Sequence, residues 1–231
     1  MNKEDLYLKI KHDIVKHILK PGQPLVESDY SATFGISRTP VREVFRRLES
    51  ENLVSIIPHK GTYVKILTSK DVEEIVDLRI QLESFAAYKA AENITEEDIQ
   101  RLNEIQNLIL DATESKIDEN NGNNPFLSAN TQLHHFILNK CGNGRIVTII
   151  ESIQSQIAWF IHITRGTKGR MKSSAREHLK IIKALIHRNP REAQKRMTEH
   201  LSTTKDILLN SDFLLSQKNM DYDFDLILKN Y

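Results

Sequence analysis

The sequence predicts a mainly α-helical protein in two parts, a three-helix front carrying a small β-hairpin and an all-helical bundle behind it. Three observations carry this. Apolar residues recur at three-to-four spacing through the first fifty positions. Two β-prone runs, Leu53 to Ile57 and Thr62 to Ile66, flank the turn sequence "PHKG". From residue 70 onward, helical stripes succeed one another without strand-like alternation.

Leu6, Ile10, Ile14 and Ile18 place a first amphipathic helix before "KPGQPL", where two prolines and a glycine predict a turn. A short helix from about Glu27 to Phe34 follows, and Gly35 suits the left-handed backbone of a tight turn between helices. Pro40 fits only the first turn of the next helix, where its missing N–H is not needed. Val41, Val44, Phe45 and Leu48 then form a stripe that seats this helix on its neighbours. Arg38 and Arg42 lie at its start, one turn apart, while Arg46 and Arg47 lie further along its flanks. Arginine and threonine offered from an N-terminal turn match the way recognition helices enter the DNA major groove. The hairpin tip carries His59, Lys60 and Gly61, which suits a wing that touches phosphates or the minor groove. Together these elements predict a winged helix-turn-helix over residues 1–67.

Residues 70–212 are expected to form the helical bundle, as six helices at roughly 70–92, 95–116, 124–141, 143–165, 173–189 and 190–210. Thr95 followed by Glu96, Glu97 and Asp98 reads as a helix cap, and "IDENNGNNP" as a polar loop. The tail 213–231 has no readable role; an extra helix, a dimer strap and disorder all remain open.

Composition narrows the setting. Lys and Arg number 32 against 31 Asp and Glu, so nucleic-acid affinity has to come from local clustering. Before residue 70 there are 11 basic and 8 acidic residues, and from residue 70 onward 21 and 23, so the positive excess sits at the front. Cys141 has no second thiol, which excludes an internal disulfide and a cysteine-based zinc site and fits a reducing cytosol. No run approaches the ~18 apolar residues of a membrane span, so a cytoplasmic protein without membrane attachment is expected.

Polar residues on apolar stripes mark the candidate chemistry. Asn130 and His134 share a face with Leu127, Leu138 and Cys141. His178 lies with Ala175, Ile182 and Leu185, and His200 with Ala193, Met197, Thr204 and Leu208. A single inward histidine is ordinarily a hydrogen-bonded core residue. Three of them with an amide oxygen one turn from an imidazole also suit a divalent ion such as zinc, nickel or manganese. Arg79 falls on the stripe Val72, Ile75, Leu82 and Ala86, where a buried guanidinium calls either for an anion or for an acid such as Glu83. His12, His17, His135, His162 and His187 are read as ordinary core or surface residues.

"PGQPLVESDYSATFGISRTPVREVFRRLESENLV" followed by "PHKGTYV" resembles the DNA-binding domain of the GntR family of bacterial transcription factors. The resemblance implies that Arg38, Thr39 and Arg42 contact DNA from the recognition helix, and His59, Lys60 and Gly61 from the wing; Arg46 is placed with them. Ser28 stands where relatives often carry arginine. "N130-xxx-H134", "EHLKIIKAL" and "AQKRMTEHL" resemble the FCD ligand-sensing domain of the FadR-like branch, and the six expected helices its shorter VanR-like group. That likeness implies a divalent metal held by Asn130, His134, His178 and His200, with Asn130 where many relatives have aspartate, and a carboxylate effector on the metal. "R79-xx-LE" is similar to the family's effector-binding helix, which makes Arg79 a carboxylate clamp.

The expected function is a transcriptional regulator, a repressor, that binds a palindromic operator in double-stranded DNA as a homodimer and answers to an organic-acid or sugar-acid effector. Two alternatives stand beside it. One is a metal-dependent enzyme built on the histidines, against which no H-E-x-x-H-type general base is present. The other is a regulator whose histidines bind the effector without a metal.

Overall fold

In the computed structural model, which describes residues 2–114, 125–165 and 167–216, helix α1 runs Lys3–Val15 behind a reciprocal cap between Asn2 and Asp5. It stops before Ile18, which the stripe had placed on its apolar face. His17 turns left-handed (φ 56°), the Asp13 carbonyl takes the N–H groups of Ile18 and Leu19, and Ile18 is 59% exposed. A two-residue strand β1, Pro24–Leu25, occupies the stretch read as a turn. Helix α2 spans Glu27–Phe34 and ends at Gly35, left-handed at φ 65°, a conformation glycine adopts without steric cost. Helix α3, Arg38–Ser50, buries Val41, Val44, Phe45 and Leu48 completely or nearly so. At ~1.5–3 kcal/mol for each large apolar side chain removed from water, these four residues hold the helix in place.

Strands β2 (Val54–Ile57) and β3 (Gly61–Val64) pair antiparallel, with Ile57 opposite Gly61. The sheet order is β1-β3-β2, so β1 adds an outer strand with Pro24 opposite Tyr63. Proline is tolerated there because an edge strand leaves one row of N–H groups unpaired.

Seven further helices are described: α4 Ser69–Glu92, α5 Glu96–Glu114, α6 Pro125–Lys140, α7 Gly144–Ser152, α8 Gln154–Arg165, α9 Arg170–Ile186 and α10 Pro190–Leu209. Six were expected. The single helix anticipated over 143–165 is broken at Ile153, although no proline or glycine lies at the break. Its two pieces bury different side chains, Ile146 and Ile150 from α7 and Ile157, Trp159 and Phe160 from α8. The expected polar loop lies mostly outside the described residues; of the tail expected from residue 213, residues 213–216 are described and helical, and 217–231 lie outside. Among the described residues, no single helix is long and apolar enough to cross a membrane.

The chain packs into two units. One comprises Met1–Asp71, Ser152–Ile163 and the chain from Leu209; the other comprises Val72–Glu151 and Thr164–Leu208. Most of α8 therefore belongs with the N-terminal winged part. There Ser155 Oγ donates to Glu51, the residue that closes α3, and Glu51 also accepts from Tyr7 Oη at 2.6 Å and from Lys11 Nζ at 2.9 Å. Trp159 Nε1 donates to His17 Nε2 at 2.6 Å. His17 stacks on Phe213 at 4.3 Å between centroids and meets His162 edge-on at 5.3 Å. His17 is thus not the ordinary residue its sequence position suggested. Burial, with help from His162 and Lys20, lowers its pKa to about 4, so it stays neutral and free to accept the indole proton. In the other unit α5 packs on α6 and α9, around Leu102, Ile105, Ile109, Leu133, Ile137, Ile181 and Leu185.

Candidate DNA-reading surface and metal centre

The underside of α3 is apolar, so its polar residues are forced outward. Arg38, Thr39, Arg42 and Arg46 are all exposed. Arg42 is also anchored, for its Nε lies 2.9 and 2.8 Å from the two carboxylate oxygens of Glu27 on α2. This holds the guanidinium stem while its outer edge carries further N–H donors. Arg47 serves a different purpose. It bonds Glu4 at 2.8 Å and covers the Tyr7 ring at 3.4 Å, which fastens α3 to α1. At the hairpin tip His59 and Gly61 are exposed and both have positive φ, 62° and 122°, while Lys60 closes the turn by an N–H bond to the Ile57 carbonyl at 3.0 Å.

The helical unit brings His134, His178 and His200 together from α6, α9 and α10, each buried and each with a ligand atom within 4.8 Å of the others. Ring centroids lie 5.5 Å apart for His134 and His178, 5.5 Å for His134 and His200, and 4.5 Å for His178 and His200. Asn130, also buried, stands one turn before His134 on the same face of α6. Both nitrogens of His178 are buried without a hydrogen-bond partner. A buried polar group left unpaired costs ~1–3 kcal/mol, and an ion shared with its two neighbours would remove that cost.

Carboxylates orient the other two rings. Glu83 Oε2 is 2.6 Å from His134 Nδ1, and Glu177 Oε2 is 2.7 Å from His200 Nδ1. A carboxylate only accepts, so it places the proton on Nδ1 and leaves Nε2 as a lone-pair donor, the arrangement seen around metal-bound histidines. Each carboxylate is itself held by a buried arginine. Arg79 Nε lies 2.6 Å from Glu83, and Arg170 reaches Glu177 at 2.7 and 2.9 Å. Of the two options the sequence left for Arg79, an acid partner is thus present.

The electrostatics favour the neutral form of His178 and His200. Burial pushes His178 well down, as do its histidine neighbours and Arg170; burial, His134, Arg170 and Arg79 lower His200. Burial alone would raise Glu83, but Arg79 and His134 outweigh it and hold the carboxyl well below the usual carboxylate range. Two arginines against two glutamates leave these pairs without net charge, and His178, His200 and the Asn130 amide add none. A divalent ion held there would keep its full charge and draw an anionic ligand.

Glu177 and Arg170 were not singled out from the sequence, and Glu83 was named only as an acid that could pair with Arg79, not as a partner of His134. The available signal was spacing: Glu83 lies four residues after Arg79 on one helix face, and Glu177 immediately precedes His178.

Residues 2–64 match the family model for bacterial regulatory proteins of the gntR family, and residues 74–203 match the FCD domain. The chain is 26% identical over 196 residues to the HTH-type transcriptional regulator YdhC of Bacillus subtilis strain 168, covering 85% of this chain and 86% of that protein. It is 26% identical over 220 residues to the HTH-type transcriptional repressor RspR of Escherichia coli K12, covering 95% and 92%. The fold is shared with a GntR transcriptional regulator from Rhodococcus sp. RHA1, with a TM-score of 0.70 at 20% identity over 90% of this chain and 97% of that one. An outward-facing arginine helix beside a wing, and a helical unit with converging histidines, are therefore the two halves of a transcription regulator and not of an enzyme: the chain belongs to the GntR family and carries an FCD domain.

Proposed function

We propose that this regulator is a homodimeric repressor that binds a palindromic operator and is controlled by a small organic or sugar acid held at a divalent metal in the helical unit. A cytoplasmic site of action goes with that role. Arg38, Thr39, Arg42 and Arg46 read or grip DNA from α3, and His59, Lys60 and Gly61 do so from the wing. One α3 reads only a few base pairs, and a two-fold dimer doubles the matched contacts.

The observation that carries the metal reading is His178, buried with neither nitrogen paired and flanked by two histidines whose Nδ1 atoms are already committed. His134, His178 and His200 supply nitrogen and Asn130 oxygen to zinc, nickel or manganese, leaving positions for a ligand carboxylate. Arg79 joins the clamp through the N–H donors of its guanidinium beyond the one that Glu83 takes. The effector acts only insofar as it binds one DNA-binding arrangement better than the other. RspR is itself named a repressor, in keeping with the sign proposed here.

Elemental analysis of protein purified without a metal-affinity tag tests the site. About one ion per chain is expected, and less than about a tenth would sink the metal reading. Thermal-shift screening against small carboxylic acids, with and without added metal, should find ligands whose stabilisation needs the metal.

A further inference from the structure

We propose that the divalent ion and an anionic ligand bind the histidine site as a linked pair, each strengthening the other, because Asn130 leaves the ion's protein donors without charge. This rests on the metal-site reading above and adds a regulation of it: affinity for the ion follows the supply of the anion.

All the residues concerned lie in the helical unit. His134, His178 and His200 offer ligand atoms within 4.8 Å of one another, and Asn130 stands one turn before His134 on the buried face of α6. An imidazole that ligates a metal is neutral, and an amide oxygen offers its lone pair with no formal charge. The set therefore presents nitrogen and oxygen donors but no anion.

Two acids do reach the site, yet their charge is already matched. Glu83 lies 2.6 Å from His134 Nδ1 and Glu177 lies 2.7 Å from His200 Nδ1, which leaves each ring its Nε2 for the ion. Behind them Arg79 Nε is 2.6 Å from Glu83, and Arg170 is 2.7 and 2.9 Å from Glu177. Both pairs are largely shut away from water, so neither partner can be exchanged for solvent without cost.

A divalent charge placed among neutral donors in the interior carries a desolvation cost that those donors offset only in part. A carboxylate in contact with the ion offsets more of it. Without the ion the same site gives that carboxylate little, since the charge of each arginine is balanced and the two glutamates repel it. Each ligand thus prepares the site for the other, and thermodynamic linkage makes the two gains equal. The competing expectation is a closed structural site, whose protein donors hold the ion at one affinity whatever else is present. Three imidazoles can hold an ion unaided, so the anion changes the affinity by a factor and its removal does not empty the site.

Full-length protein stripped with a chelator is titrated with zinc, free zinc being set by chelator competition, in sodium acetate and in sodium chloride of equal ionic strength. Saturating acetate should tighten zinc binding ~5–150-fold. Calorimetric titration with acetate should return the same factor between zinc-loaded and stripped protein. Asn130→Asp puts a carboxylate among the donors at nearly unchanged size; it should bind zinc more tightly than wild type in chloride and show a smaller acetate factor. Equal wild-type zinc affinities in the two salts overturn the linkage and leave the metal site standing. An Asn130→Asp protein with wild-type zinc affinity and an undiminished acetate factor does the same. The wild-type titrations decide the question by themselves if the variant does not fold. A wild-type protein that takes up no zinc in either salt overturns the metal-site reading and the linkage with it.

Discussion

The two units use arginine in opposite ways. Arg42 on α3 is 59% exposed at its side chain and tethered to Glu27, whereas Arg79 and Arg170 are almost wholly buried and paired to Glu83 and Glu177. The chemistry of the pairs is the same and the solvent is not. In water an ion pair is worth ~0–1 kcal/mol, because both partners are already solvated. In the interior the same pair holds charges that have nowhere else to go. A surface arginine can therefore exchange its carboxylate for a phosphate or a base edge, while a buried one works as a structural link.

Removing the acid from each pair should break this comparison most visibly. Glu83→Ala leaves Arg79 buried and unpaired and should cost about 3–5 kcal/mol in a denaturant titration. Glu27→Ala should cost no more than ~1 kcal/mol in the same measurement. Equal losses would mean that burial does not separate the two classes.

The next effect in size is on DNA. Arg42→Ala should lose ~1–3 kcal/mol of discrimination between operator and unrelated DNA at one fixed salt concentration, while stability stays within ~0.5 kcal/mol of wild type. A variant that still prefers its operator to the wild-type degree would remove Arg42 from the reading set. Glu27→Gln sharpens the point: it frees Arg42 and deletes a negative charge near the phosphates. Binding to unrelated DNA should tighten while preference for the operator declines.

The smallest expected effect is on pH dependence. His17 has a folded pKa of about 4, below the ~6.5 of an unfolded histidine. Between those values the unfolded chain takes up the proton and the folded chain does not, so His17 contributes a loss of stability as pH falls from ~6.5 toward 4. Protonation would also set an N–H against the indole N–H of Trp159, since neither can accept. His17→Phe should flatten the denaturation midpoint over this window relative to wild type; parallel curves would remove His17 as the cause.

How much of this the sequence discloses depends on how local each cause is. The α3 stripe is legible because Val41, Val44, Phe45 and Leu48 repeat at the helical period, and Gly35 and the "PHKG" turn announce themselves by residue type. The histidines stand out because they interrupt apolar stripes. Glu177 and Arg170 do not, since a charged residue beside other charges reads the same whether solvated or buried. The break at Ile153 carries no proline or glycine, and it follows from packing in two separate units rather than from local propensity. Likewise Ile18 continues the period of α1 on paper, while the left-handed turn at His17 takes it off the helix.

The grouping of α8 with the winged part has a consequence for anyone dividing this protein. A fragment ending near residue 71 would keep the whole segment that matches the gntR family model, yet it would strip His17 of its indole donor and Glu51 of its serine, and bare the apolar surface beneath Trp159 and Phe160. Modularity in the linear order is not modularity in space. Transplanting this reading head onto a different sensor would succeed only if the graft brought that borrowed helix along.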